Sequence, residues 1–261
     1  MSLGWVKVAM SKYLVVERGT VSTVLLDRPE KHNALNQEMI DDLVRTLLDL
    51  QEDRGVKVVV IGTLAHNFCA GGDLEEFLMS HDAGLEDGYD AVDPGMSLFK
   101  LAFHLRKPLI VATKGVCRGG GVGLSALGHI SIAQEGATFA LTEVRLGLFP
   151  YGIYPLLAKN MGERRSLELA LTGREFDCYQ AVEYGLIDEV SSNSFERANE
   201  LADSIAQASL YSLESGIELY NLSMTRYDEG FFRYAGILRA ISFKTDALSE
   251  RVRKFLRRSK S

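Results

Sequence analysis

The 261-residue chain has only three cysteines, Cys69, Cys117 and Cys178, far apart in the sequence. No CxxC pair or Cys/His ladder joins them, which argues against a disulfide framework or a zinc site and suits a reducing, cytoplasmic setting. Long apolar runs are missing too; none approaches the ~20 residues that span a bilayer. The opening MSLGWVKVAMSK lacks the sustained apolar core of a secretion signal. Positive charge is in deficit: the net charge is −6, which speaks against general affinity for nucleic acid or an anionic membrane. The five histidines, His32, His66, His81, His104 and His129, show no metal-ligand spacing, and no Ser–His–Asp or Cys–His nucleophile stands out. No metal is expected. What is present is apolar material: 46% of the residues, enough for a core in one large domain or two small ones.

The front half reads as strands crossed by helices. KYLVVERGTVSTVLLD predicts two strands around a Gly-Thr turn, and VKVVVIG, LIVAT, HISIAQ and TFALT predict four more. Between them Asn36 is placed to cap a helix whose apolar face is Met39, Ile40, Leu43 and Leu47. From Tyr154 onward strand signals nearly vanish, and Gly173 and Gly185 read as helix stops. Residues 79–95 are acidic and poor in apolar side chains, the pattern of a surface loop or a lid.

Two glycine clusters carry the chemical signal. FCAGGDLEEF follows a strand; Gly71 and Gly72 permit a tight turn, Asp73 can cap the next helix, and the Gly72 N–H is left to point outward. CRGGGVGLSALG also follows a strand and opens a helix, so the N–H groups of Gly120 and Gly121 sit where the helix dipole favours negative charge. Two such turns are the ingredients of an oxyanion hole. Phosphate cradling is the rival, but residue 124 is leucine, which breaks GxGxxG, and no Gly-Lys-Ser/Thr follows. On the glycines alone, a plain structural turn is an equal reading.

The ordered set LDRPEKHNALN, VVVIGTLAHNFCAGGDLEEF, KPLIVATKGVCRGGGVGLSALGHISIA and ATFALTEVRLGLFP resembles the enoyl-CoA hydratase/isomerase, or crotonase, family. LALTGREFDCYQAVEYGLIDEV resembles that family's helical hairpin, and FKTDALSERVRKF looks like a degraded form of its C-terminal element. The resemblance implies an α/β fold: a crotonase-like spiral of ββα units over residues 1–195, with a helical C-terminal trimerisation region over 196–261. It implies a homotrimer or dimer of trimers, an acyl-CoA substrate, and no cofactor beyond the coenzyme A of that substrate. Matched residue by residue, Gly72 and Gly120 would donate the two oxyanion N–H groups and Glu143 would be the catalytic glutamate. Lys31, His32, Ala34, Ala70, Asp73 and Leu74 would line the CoA groove, and Tyr151, Ile153 and Tyr154 would narrow the acyl pocket. The basic tail, Arg251 to Lys260, reads as a solvated helix face; a contact with the CoA 3′-phosphate or an RNA-binding arm are its other readings.

The departure is Gly123, where the family's hydratases carry a second glutamate. Water addition suits two carboxylates, whereas double-bond migration needs one group that moves a proton between carbons. The expectation is therefore an isomerase-like reaction with Glu143 alone. Enoyl-CoA hydration, with an acid such as Glu86, Asp87 or Asp90 reaching in, and a non-catalytic acyl-CoA-binding role are the alternatives. A glutamate at position 123 is expected to be accommodated and to favour hydration, unless Tyr151 or Tyr154 fills the space.

Overall fold

The computed structural model describes residues 11–82, 94–222 and 229–258. The expected acids Glu86, Asp87 and Asp90 lie outside these residues. Strands β1 (Leu14–Glu17) and β2 (Val21–Leu26) form the expected hairpin. The principal sheet continues in parallel through β3 (Val58–Thr63), β4 (Leu109–Thr113), β6 (Ile130–Gln134) and β9 (Glu189–Ser191), in the order β1-β2-β3-β4-β6-β9. A smaller sheet joins β5 (Val116–Arg118), β7 (Thr138–Ala140) and β8 (Glu175–Asp177).

Every residue of β4 is buried because both faces of the larger sheet are covered. One face packs on α1 (Gln37–Glu52), which buries Met39, Leu43, Leu47 and Leu50, and on α4 (Gly120–Leu127). The other face takes Val58, Val60, Ile110 and Ile132 against Ala198 and Ala202 of α8 (Ser194–Ile205). Asn36 caps α1 as expected, its side-chain oxygen accepting from the Met39 N–H at 3.1 Å. Gly173 and Gly185 end α6 (Glu163–Thr172) and α7 (Cys178–Tyr184) in the left-handed conformation.

Helix α2 (Leu74–Asp82) runs beside α10 (Glu229–Phe243) and α11 (Asp246–Arg258), with α3 (Pro94–Lys100) and α5 (Tyr154–Met161) nearby; α9 is Leu210–Leu222. The α2–α10 seam is fastened at its end. Lys244 Nζ donates to the Ser80 carbonyl at 2.7 Å, His81 Nδ1 lies 2.8 Å from the Phe243 carbonyl, and the Phe77 and Phe243 rings are 5.1 Å apart. Among the described residues no helix is long and apolar enough to cross a membrane.

Candidate active site

The two glycine turns lie side by side. The bridge between Leu35 and Gly72 uses the Gly71 carbonyl and the Asp73 N–H, each paired with Leu35, and so leaves the Gly72 N–H outside its hydrogen bonds. Gly120 is the first residue of α4, and the first intrahelical bond, Gly123 N–H to the Gly119 carbonyl, lies beyond it. A side chain built on Gly120 would come 3.9 Å from the Gly71 backbone, so the turns are in contact. Both open into one cavity of ≈ 160 Å³.

Glu143 enters the same cavity from a short helix, Thr142–Leu146, that follows β7. Its carboxyl group lies over Gly119. A Cβ there would stand 2.7 Å from Glu143 Oε1, and the φ of +45° already disfavours any side chain. Glu143 Oε2 is buried without a protein partner. Burial pushes the carboxyl up to about 7, slightly offset by a backbone hydrogen bond. A glutamate serving only as a solvated acid of a helix's first turn would be neither buried nor shifted in this way. The alternative that Glu143 merely complements the helix dipole therefore does not fit.

The turns are held by a buried ionic frame. Arg28 donates to Asp73 at 2.8 Å and to the Ala34 carbonyl at 2.7 Å, with the Arg28 and Asp73 side chains only 9% and 6% exposed. Asn33, at φ +56°, accepts from the Arg28 N–H and donates to Thr63 and to the carbonyls of Asn67 and Phe68. This ties residues 28–36 to the loop that carries Gly72. Replacing Asp73 by Ala leaves the buried Arg28 charge with only the Ala34 carbonyl and the more distant, exposed Glu30, 3.9 Å away. It is expected to cost about 3–5 kcal/mol, read as a shifted urea midpoint, and an unchanged midpoint would remove the frame's structural role.

The other expected ligand residues divide. Ala70, Leu74 and Tyr151 line the cavity, with Tyr151 Oη 3.0 Å from Ser242 Oγ. Lys31 pairs with Glu75 at 2.8 Å, His32 sits 3.3 Å from Asn67, and Ala34 and Asp73 belong to the frame; none of these four lines the cavity. Ile153 lines it as expected, while Tyr154 turns away and donates to the Glu163 carbonyl. His129 lies in the bend between α4 and β6. Its Nδ1 accepts from the Leu109 N–H, and burial pushes it down to about 4.

The space beside Gly123 is filled, and not by a tyrosine. A Cβ there would lie 2.3 Å from Ile153 Cγ2 and 2.8 Å from Phe99 Cε1. The expectation that a glutamate would fit at position 123 is corrected: two buried apolar side chains occupy that volume. Four further residues, Glu76, Phe77, Arg239 and Phe243, line the cavity without having been expected from the sequence. For Glu76 the signal was its place one turn beyond Gly72. For Arg239 and Phe243 there was none, because they arrive from a helix more than a hundred residues later.

Residues 17–229 match the family model described as enoyl-CoA hydratase/isomerase. The chain belongs to the enoyl-CoA hydratase/isomerase family. Among similar proteins, 1,2-epoxyphenylacetyl-CoA isomerase of Escherichia coli (strain K12) is 33% identical over 208 residues, covering 76% of this chain and 77% of its own. A solved enoyl-CoA hydratase/isomerase from Mycobacterium paratuberculosis superimposes with a TM-score of 0.88 at 25% identity, over 94% of this chain and 99% of its own. An enoyl-CoA hydratase from Mycobacterium avium gives 0.82 at 27%, over 95% and 98%. The crotonase fold expected from the motifs is thus the fold found, and the protein is an acyl-CoA enzyme of this family.

Proposed function

We propose that the enzyme moves the double bond of an enoyl-CoA, with Glu143 as the one acid/base. The observation that carries this reading is the apolar plug at Gly123, which leaves no room for a carboxylate at that position; Glu76, which also lines the cavity, is engaged in accepting the Gln37 N–H. The thioester carbonyl of a 3-enoyl-CoA accepts the N–H groups of Gly72 and Gly120. Glu143 takes a proton from C2, the negative charge moves onto the thioester oxygen, and the protonated Glu143 returns the proton to C4. The product is the conjugated 2-enoyl ester, and no water is consumed. Each oxyanion donor contributes about 3 kcal/mol to lowering the barrier. A carboxyl titrating near 7 suits a group that must both take and give a proton at neutral pH.

The isomerase named among the similar proteins acts on an epoxyphenylacetyl-CoA and matches this reading only in rearranging a CoA ester, and the hydratase named beside it supports the second one, hydration of a 2-enoyl-CoA. Incubation of hex-3-enoyl-CoA and hex-2-enoyl-CoA in deuterated water, followed by mass spectrometry, separates them. Conversion of the first to its 2-enoyl isomer, separated by chromatography and carrying no added water mass, is the expected outcome; little deuterium gain marks direct return of the proton by Glu143. Rapid formation of 3-hydroxyhexanoyl-CoA from the second would replace isomerisation by hydration. The proposal extends to a trimer or dimer of trimers, for which the exposed Tyr211, Leu219 and Leu222 of α9 offer an apolar face. Light scattering showing a monomer at micromolar concentration would remove that part.

A further inference from the structure

The ammonium groups of Lys31, Lys57, Lys107 and Lys244 lie on carboxylate or carbonyl oxygens. That of Lys159, near the end of α5, lies instead over the ring of Tyr220 in α9, 4.0 Å from its centroid. Asn160 fixes this turn of α5 by donating to the Ala126 carbonyl at 3.1 Å. The His129 ring packs on the same tyrosine, with centroids 6.0 Å apart. Its Nδ1 accepts the Leu109 N–H, so in the neutral ring Nε2 carries the hydrogen and cannot accept from Lys159. Asp188, the acid that acts on the Tyr220 hydroxyl, accepts the Ser131 N–H at 2.7 Å. Lys159 is thus half-buried against rings, outside the catalytic cavity. Burial alone pushes its ammonium down to about 8.

We infer that Lys159, packed on Tyr220 away from any oxygen acceptor, is a site of covalent acylation by the CoA esters that the enzyme handles. A lysine is a nucleophile only as the neutral amine, and a desolvated lysine reaches that form near neutral pH. The neutral Nζ attacks the carbonyl carbon of the thioester. The N–C bond forms, the C–S bond breaks, and CoA leaves as the thiolate. The proton shed by the nitrogen ends on that sulfur, so the products are an amide on Lys159 and free CoA. The acyl donor is the thioester itself, and the step needs no other reactant. Acylation removes the positive charge, and with it the attraction that holds Lys159 to the Tyr220 face of α9. The inference needs only the CoA-ester chemistry of the family and stands apart from the choice between isomerisation and hydration.

The test incubates the native enzyme with butyryl-CoA, a saturated ester, at pH 7, 8 and 9. The protein is then digested, and the acylation rate at each lysine is read by mass spectrometry. At pH 8 a lysine titrating near 8 holds about 100-fold more neutral amine than an ordinary one. Lower basicity and partial burial take back part of that lead, so Lys159 is expected to acylate at least about 10-fold faster than the exposed Lys254. Its rate should rise about fivefold from pH 7 to 8 and only about twofold from 8 to 9. Tyr220→Ser, which opens the ammonium to water, should bring back a rise of about tenfold per pH unit. If that variant does not fold, the native pH profile decides by itself. Lys159 labelled no faster than Lys254, or a native rate at Lys159 that climbs about tenfold per unit from pH 7 to 9, overturns the inference.

Discussion

Replacing Glu143 by Gln is expected to slow turnover by about two to four orders of magnitude while CoA-ester binding persists. The substitution keeps the shape of the side chain in its place over Gly119 and removes only the proton acceptor. No second acid can take over at position 123, where Ile153 and Phe99 fill the volume. Because burial holds the Glu143 carboxyl near 7, the wild-type kcat/KM should fall about tenfold per pH unit below 7 and level off above it. The same burial has a cost in stability whose sign can be worked out. The folded carboxyl titrates near 7 and the unfolded one near 4.5, so the fold prefers the protonated form. That preference is fully present below pH 4.5 and is lost as pH rises to 7, a loss on the order of 3 kcal/mol. Glu143→Gln, permanently neutral, should therefore unfold at higher urea than the wild type at pH 8 and lose that advantage near pH 4.5. A variant that keeps wild-type turnover would transfer the chemistry to another group. A variant no more stable at pH 8 would mean that the carboxylate is solvated.

Local signals were legible in the sequence, and non-local ones were not. The β1–β2 hairpin, β3, β4, the Asn36 cap and the Gly173 and Gly185 stops each depend on residues close to one another in the chain, and all are present. So are the two glycine turns and the place of Gly120 at a helix start. Strands β5, β8 and β9 gave no pattern because three residues are too few to show alternation and, unlike the equally short β7 within TFALT, none lies in a longer run of strand-forming residues. Their strand state comes from pairing with distant partners; Phe139 and Phe176, for instance, stack at 5.6 Å across β7 and β8. The acyl end of the cavity was hidden for the same reason. The stretch YAGILRAISF reads as an oligomer contact from its apolar content. Yet Arg239 and Phe243 lie against α2 of their own chain and wall the cavity, while Tyr234 and Ile241 on the same helix remain exposed. Of the three residues expected to narrow the acyl pocket, Tyr151 and Ile153 line it, while α5 begins at Tyr154 and turns that ring away.

Ile153, and not a tyrosine, decides what a carboxylate at position 123 would do. Gly123→Glu alone is expected to lose the native fold. Its Cβ would overlap Ile153 Cγ2 at 2.3 Å and stand 3.0 Å from Ile153 Cβ, so rotating the end of a flexible chain cannot relieve it. Overpacking of this kind costs about 1–3 kcal/mol, and a carboxylate buried against Ile153 and Phe99 raises the total past about 4 kcal/mol. The gain from removing a helical glycine, about 1 kcal/mol, does not offset it. Insoluble expression, or a melting temperature lower by about 8 °C or more, is the expected result. Removing the obstacle should change the outcome. Ile153 lines the cavity that holds Glu143, so in Gly123→Glu combined with Ile153→Gly the new carboxylate inherits Ile153's opening into that cavity. In the double variant the two clashes with Ile153 disappear and only the Phe99 ring edge, at 2.8 Å, must tilt, while the lost burial of Ile153 offsets part of that relief, so partial recovery of soluble, folded protein is expected. With two carboxylates facing one acyl chain, 3-hydroxyhexanoyl-CoA should appear from hex-2-enoyl-CoA at a rate above that of the wild type. A single variant that melts with the wild type would show that Gly123 is not plugged. A stable double variant that forms no hydrated product would show that space beside Gly123 is not what separates migration from hydration in this enzyme.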